Sequence, residues 1–523
     1  MAENGKFKYP VGIQSFEKLI TDNYIYVDKT ALIHQLVKEN SYVFLSRPRR
    51  FGKSLLVSTL ESYFKGEKEL FKGLAIENLE KEWIKYPVLR LDLSKESYDD
   101  PENLTRRLSK VLDDWEREFG ITPHNDTTLS IRFEDVIRKA KESYGRNVVI
   151  LIDEYDKPLL AYLHESERKE VMRQRLQGFY SVIKGCDEYI KFVLVTGVSK
   201  FAHLSIFSGF NNLSDISMLP KYDAICGISE DELHRYFGKS VQEFADNNGI
   251  SEAQTLADFK KHYDGYHFSR KLLDIYNPFS VLKAFQDSEI RNYWFGTGTP
   301  SFLVKLTRRN NFMLLQLDAP ERTADSLSDV TENTSDMVPL LFQAGYLTIK
   351  SWDPDFRIFT LGFPNEEVKS GFWNSFAQAY FPPTGYTYGF DVREFLRYVN
   401  TGETDRFMQA LKALISSANS EHEPDKEIHF QNMMAIIFKM LGLYVRTEIH
   451  SARGRCDLTL ETVSFIYIFE FKINGSAQDA LSQIEENGYA NPFMADTRTK
   501  ILIGADFSTE LRTLTDWEIK TIP

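Results

Sequence analysis

Short apolar runs alternate with amphipathic stretches through the first 225 or so residues, the pattern of a parallel sheet covered by helices on both faces. Tyr42 to Ser46, Val88 to Leu93, Val148 to Asp153 and Phe192 to Thr196 are predicted strands. Further along the period lengthens: Ser229 to Gly249 and Thr255 to Tyr263 predict helices, followed by the aromatic, turn-rich pieces YDGYHF and YNPFSVL. A lid or linker region, mostly helical, is therefore expected over 226–415. The polar stretch Glu321 to Asp336 predicts a long exposed loop, and Ser416 to Asp425 a weaker boundary. A new pattern follows, with a helix from about Glu427 to Leu441 and strands near Tyr444 to His450, Asp457 to Glu461 and Phe465 to Lys472. The expected domains are thus 1–225, 226–415 and 416–523, in an α/β chain without internal repeats.

Composition narrows the class. A chain of 523 residues suits about three to four domains. Hydrophobic residues at 42% and charged residues at 26% are globular values, so wholesale disorder is excluded. The 63 Lys and Arg against 75 Asp and Glu leave a net charge of −12, and any contact with nucleic acid must be local. Three scattered cysteines, Cys186, Cys226 and Cys456, form neither a disulfide framework nor a zinc cage. A reducing, cytoplasmic compartment is expected. No leader pattern opens the chain, and no apolar run approaches the ~18 residues that cross a bilayer, so no membrane is expected as a partner.

The strand YVFLS leads into RPRRFGKSLL, where Gly52, Lys53 and Ser54 open a helix. This is the end of a Walker A loop: glycine lets backbone N–H groups face phosphate, lysine neutralises its oxygens and the hydroxyl ligates Mg²⁺. The generic loop carries glycine five positions before Gly52, where this chain has Arg47. VVILIDEYD supplies the partner strand: Asp153 holds the Mg²⁺ water shell and Glu154 polarises an attacking water. Arg50 and Phe51 complete the candidate nucleotide loop. At the end of FVLVTGVSKF, Thr196 and Ser199 either sense the γ-phosphate or cap the next turn. Arg47, Arg49 and Arg50 have two readings, contact with phosphates or solvated arginines on an exposed loop.

A second constellation lies near the C-terminus, in CDLTLETVSFIYIFEFK. Strand period two puts Glu470 and Lys472 on one face with Ile466 and Ile468. A hairpin with the strand of Asp457 brings both carboxylates together, a site for a hard cation such as Mg²⁺, with Mn²⁺ an alternative. The metal activates water, and Lys472 orients the nucleophile or stabilises developing charge. This D…E-x-K pattern is that of restriction-enzyme-like nucleases; a salt bridge between Glu470 and a neighbouring cation is the competing reading. Glu427, at a helix start, is a further candidate ligand or a plain helix-terminus acid. Gln483 and Tyr489, placed on a helix, and Arg453 and Arg455 are candidate contacts to a nucleic-acid backbone. His429, Tyr263 and Tyr266 read as packing residues. No H-E-x-x-H or G-x-S-x-G motif is present.

Taken together, RPRRFGKSLL, YVDKTALI, LIDEYDKPL, VTGVSKF, YDGYHF, YNPFSVL, GYLTI and GRCDLTLE…IYIFEFKINGSAQDALSQIEENGYA resemble the bacterial AAA-ATPase-like proteins that carry a C-terminal PD-(D/E)XK nuclease domain. The resemblance covers nearly the whole chain, and Arg47 matches the family's own RPRRFGKS form. It implies an N-terminal P-loop ATPase domain of the additional-strand type, a helical middle region and a C-terminal restriction-endonuclease-like α/β domain. Lys53 and Ser54 then match the nucleotide loop, Asp153 and Glu154 the Walker B acids, and Asp457, Glu470 and Lys472 the nuclease core. The leading expectation is an ATP-hydrolysing, Mg²⁺-dependent nuclease on DNA, in defence or mobile-element processing, with RNA also compatible. The alternatives are a nucleotide-dependent switch or scaffold that binds nucleic acid or protein without cutting, and a nuclease whose P-loop is a relic. A homo-oligomer whose neighbour supplies an arginine also fits the class.

Overall fold

The computed structural model describes residues 8–122, 127–162, 165–200, 206, 213–297, 301–328, 336–382, 391–418, 426–442, 446–449 and 457–522. The chain divides into two compact units, Met1–Gly296 with Pro320–Thr334 and Val338–Glu367, and Thr297–Ala319 with Ser335–Met337 and Val368–Pro523.

The first unit is built on the strands β1 (Tyr42–Ser46), β2 (Val88–Asp92), β3 (Val148–Asp153), β4 (Ile190–Gly197) and β5 (Ser214–Asp215). They lie in the order β2-β3-β4-β1-β5, every neighbouring pair parallel. A parallel sheet is covered on both faces, so its strands read as continuous apolar runs; β1 and β3 are buried along their whole length. The extra strand, β4, lies between β1 and β3 and brings its C-terminal end beside theirs. Helices Glu102–Phe119, Leu129–Tyr144 and Ser166–Gly185 contribute to one core with the sheet. Phe133 and Phe179 stack there with centroids 4.5 Å apart, a geometry that adds about 0.5–1.5 kcal/mol beyond burial.

After this sheet, β6 (Ile228–Ser229) leads into the helix Glu230–Asn248. Ser229 and Glu232 form a reciprocal capping box at its start, and Gly249, at φ 64°, closes its end. A second helix, Glu252–Tyr263, precedes β7 (Ile275–Tyr276), which pairs with β6. The middle of the chain also holds a three-stranded antiparallel sheet that the sequence pattern does not announce. It consists of β8 (Glu321–Thr323), β9 (Thr348–Asp353) and β10 (Ile358–Gly362) in the order β8-β10-β9. The loop expected from Glu321 to Asp336 therefore begins as β8 and the short helix Ala324–Ser328, while 329–335 lie outside the described residues. Ladder bonds from β10 decide the matter, since a polar run becomes a strand when a neighbour satisfies its backbone.

In the second unit, the helix Lys426–Leu441 precedes β11 (Arg446–Ile449), β12 (Leu458–Glu461), β13 (Phe465–Ile473), β14 (Thr499–Ser508) and β15 (Thr513–Ile522), ordered as numbered. All neighbours are antiparallel except β13 and β14, whose parallel pairing requires the crossover helix Ala477–Glu486. Ile466 and Ile468 of β13 share a core with Leu481 and Ile484 of that helix. On the other face Phe469 meets Phe438, at 5.3 Å, and Phe407, at 6.0 Å. Gly504 permits the close approach of helix and sheet: a Cβ there would lie 2.4 Å from both the Ala477 carbonyl oxygen and the Leu481 nitrogen.

Candidate functional site

In the first unit, the loop from β1 to the helix Lys53–Phe64 turns through Arg50 at φ 70° and Gly52 at φ 93°. Lys53 is buried, and its ammonium donates to the carbonyls of Arg47, at 2.8 Å, and Pro48, at 3.0 Å. Burial pushes its pKa below that of an ordinary lysine, while Glu154, Asp153 and Asp156 favour the charged form. Ser54 follows at the helix start, partly exposed. Phe51 is buried edge-on against Tyr266, at 4.8 Å, and Phe268, at 5.6 Å, so YDGYHF supports the loop from beneath. Tyr263 is buried against Phe259, with its hydroxyl donating to the Arg291 carbonyl.

Arg47 takes neither of its two sequence readings. It is 1% exposed, donates to the carbonyls of Ser46, Ser217 and Tyr222 at 3.0, 2.7 and 3.1 Å, and lies over the Phe268 ring at 4.0 Å. The guanidinium fork satisfies carbonyls from three stretches of chain, which explains arginine at the position where the generic loop has glycine. Arg49 and Arg50 are exposed, Arg50 lying 4.8 Å over Phe279.

Asp153 is buried at the end of β3 and accepts a hydrogen bond from Thr196 Oγ1 at 2.6 Å. Thr196 thereby orients that acid. Glu154 has φ 53°, a strained conformation for a side chain of its kind. Burial, with Asp153 and Asp156 nearby, raises its pKa. Sequence reasoning missed Asp156, the third acid of DEYD. Its carboxylate is buried and accepts from Val198 N, Ser199 N and Ser199 Oγ. Ser199 is thus committed to Asp156. Gly197 leaves room for this arrangement, since a Cβ there would lie 2.6 Å from the Tyr155 ring and 2.8 Å from Asp156 Oδ1. Beside the loop a cavity of about 100 Å³ is lined by Phe51, Gly52, Tyr26, Lys29, Cys226 and other residues.

In the second unit, β12 and β13 pair Leu458 with Phe469, so Asp457 faces Glu470. Phe471 N donates to Asp457 Oδ2 at 2.9 Å, and Asp457 N to Glu470 Oε2 at 3.3 Å. Glu470 is 4% exposed, and burial together with the Asp457 carboxylate pushes its pKa up to about 7. Lys472 Nζ lies 4.0 Å from Glu470. Gln483, on the helix Ala477–Glu486, donates to Glu470 and accepts from Lys472. It thereby bridges the acid and the base. Tyr489 differs from the expected placement on that helix. It follows the helix, is buried, and its hydroxyl accepts from Asn487 at 2.9 Å and Gln483 at 3.4 Å. Arg453, Arg455 and Cys456 lie outside the described residues, as does the side chain of Glu427. His429 packs, its ring stacked on Tyr380 at 5.1 Å. Among the described residues no group of three or more His, Cys, Asp or Glu is arranged to hold a metal.

Comparison with known sequences matches residues 10–207 to the family described as Predicted AAA-ATPase, and residues 425–517 to the PD-(D/E)XK nuclease superfamily. An uncharacterized protein in the vnfD 5′ region of Azotobacter chroococcum mcd 1 is 34% identical over 532 aligned positions, covering 98% of this chain and 99% of the relative. The chain belongs to this AAA-ATPase-like family. It joins an AAA-like domain to a nuclease-superfamily domain, and its sheet has β4 inserted between the strands of the phosphate loop and the acids. Solved structures offer distant likenesses. The Aeropyrum pernix ORC1 protein in complex with DNA is 10% identical, with 68% of this chain and 96% of that one covered at a TM-score of 0.27. Cdc6p of Pyrobaculum aerophilum is 9% identical, with 70% and 94% covered at 0.23.

Proposed function

We propose that the chain binds and hydrolyses ATP and uses that cycle to control a Mg²⁺-dependent nuclease acting on DNA, in defence or in processing of mobile elements. The observation that carries this reading is the second-unit cluster, in which two facing carboxylates, one of them buried with its pKa raised to about 7, stand beside a lysine. A desolvated pair of acids fits a hard divalent cation, whose charge stabilises both ionised forms at once. Asp457 and Glu470 would hold that ion, which when bound supplies water activation and charge neutralisation at a phosphodiester. Gln483 keeps Glu470 and Lys472 at a fixed spacing, and the Lys472 ammonium offers its positive charge to the developing negative charge.

In the first unit, Gly52 and the helix start offer N–H groups to phosphates, Lys53 its charge, and Ser54 and Asp153 oxygens for the nucleotide's own Mg²⁺. Glu154 accepts the proton of the attacking water, and the Thr196 hydroxyl holds Asp153 in place. The adjacent cavity takes the nucleobase. Around 10–15 Å³ of such space holds one water, so 100 Å³ accommodates a planar ring system.

A switch or scaffold that binds nucleic acid or protein without cutting is the second reading. Cleavage of linear, circular and single-stranded DNA with Mg²⁺ or Mn²⁺, with and without ATP, separates the two. Loss in Glu470→Ala and altered activity in Lys53→Ala are expected of the coupled nuclease. Normal ATP turnover with no cleavage of any substrate by the wild type selects the scaffold.

A further inference from the structure

The motif YVDKT takes no part in the phosphate chemistry, yet it places Lys29 in the wall of the cavity beside the loop. Most of that wall is aliphatic or aromatic, and among the described residues Lys29 is the one charged residue lining it. It is 9% exposed and donates to both carboxylate oxygens of Glu232, at 2.6 and 2.5 Å. Glu232 is itself fixed, since its Oε2 accepts from Ser229 N at 2.9 Å in the capping box of the helix Glu230–Asn248. Asp28, the preceding residue, accepts from Thr30 N and Ala75 N and so anchors the segment from the other side. The ammonium is therefore positioned by two rigid neighbours.

A buried ion pair is a poor source of stability, because desolvation cancels most of its attraction and apolar replacements often do as well. A charge kept in an otherwise apolar wall points instead to a ligand. Three protons belong to an ammonium. Two are accounted for by Glu232, which leaves the third for a further acceptor. The ring nitrogens and keto oxygens of a nucleobase are such acceptors, and an apolar slot suits its faces.

We propose that Lys29, held by Glu232, recognises the edge of the nucleobase, so that the pair reads the base while Lys53 reads the phosphates. The proposal rests on the nucleotide-binding reading above. It also ties base occupancy to the first turn of the helix Glu230–Asn248, whose capping residue Glu232 is the lysine's partner.

The test is calorimetric titration of the full chain with ATP and with inorganic tripolyphosphate, which has the phosphates and no base. Lys29→Met is expected to weaken ATP about ten- to a hundredfold, the range for a lost hydrogen bond to a charged group, and to leave tripolyphosphate within about twofold. Should Lys29→Met fail to fold, the double variant Lys29→Gln with Glu232→Gln keeps a hydrogen-bonded pair without the ammonium and carries the same expectation. Unchanged ATP affinity, or equal weakening of both ligands, overturns the assignment of Lys29. A wild type that binds neither ligand overturns the nucleotide reading itself, a distinct result.

Discussion

Arg47 and Lys53 show how one phosphate loop can be held from inside. The arginine's three carbonyl partners come from Ser46, Ser217 and Tyr222, and the lysine's two come from the loop itself. Removing the guanidinium strands several buried carbonyls at once, each costing on the order of 1–3 kcal/mol when left without a donor. Arg47→Ala is accordingly expected to destabilise the first unit by about 3 kcal/mol or more in denaturant titration. Arg47→Lys should recover only part, because a single ammonium cannot span the fork's partners. Sequence could not reveal this role. Ser217 and Tyr222 lie 170 and 175 residues away along the chain, and no local pattern marks carbonyls that converge from that distance. Asp156 was hidden for a similar reason: its partners Val198 and Ser199 lie just past the end of β4, 42 and 43 residues along the chain.

Among the elements, buried parallel strands were the most legible. The predicted limits of β1 and β3 coincide with those observed, since a strand covered on both faces has an uninterrupted apolar run that ends where burial ends. The sheet of β8, β9 and β10 was invisible because ERT and its neighbours are partly exposed and polar. In the carboxylate cluster, strand period placed Glu470 and Lys472 on one face, but no periodicity could show that Gln483 of the crossover helix bridges them. That helix depends on Gly504. Gly504→Ala forces its backbone outward at Ala477 and Leu481, an overpacking that costs about 1–3 kcal/mol. Because Gln483 lies just beyond Leu481, the proposed cleavage is expected to fall by about tenfold or more, while ATP turnover is preserved. Matched cleavage and turnover assays on the one variant check both halves of that expectation.

At the scale of the whole molecule, the two units are expected to respond to pH to different extents. In the first, burial pushes Glu367 and Asp264 up to about 7. The folded state then holds their protons more tightly than the unfolded state, whose carboxyls titrate at about 4. This contribution is complete below about pH 4 and is lost as pH rises through 7. In the second unit, burial and Arg308 push His429 down to about 4, so its contribution is present above about 6.5 and is lost as pH falls toward 4, while Glu470, pushed up to about 7, contributes in the opposite sense and offsets it. Hydrogen exchange followed from pH 5 to 8 should show protection declining in the first unit and changing less in the second. Glu367→Gln, whose amide can still accept from Trp294 N as the acid does at 2.6 Å, should flatten the first unit's slope.

The two clusters also differ in how far the polypeptide must travel to complete them. Asp457 and Phe471 are 14 residues apart, Gln483 and Glu470 are 13, and the elements that carry them follow one another directly. Thr196 meets Asp153 across 43 residues, and Arg47 meets Tyr222 across 175. Closing a longer loop costs more entropy before any contact rewards it, and folding slows as contacts become less local. During refolding, pulsed hydrogen exchange should therefore protect the amides of Asp457 and Phe471 ahead of those of Val198 and Ser199. A nascent chain reverses that order of opportunity, since the ribosome releases the distant partners of the phosphate loop long before it begins the hairpin of the acids.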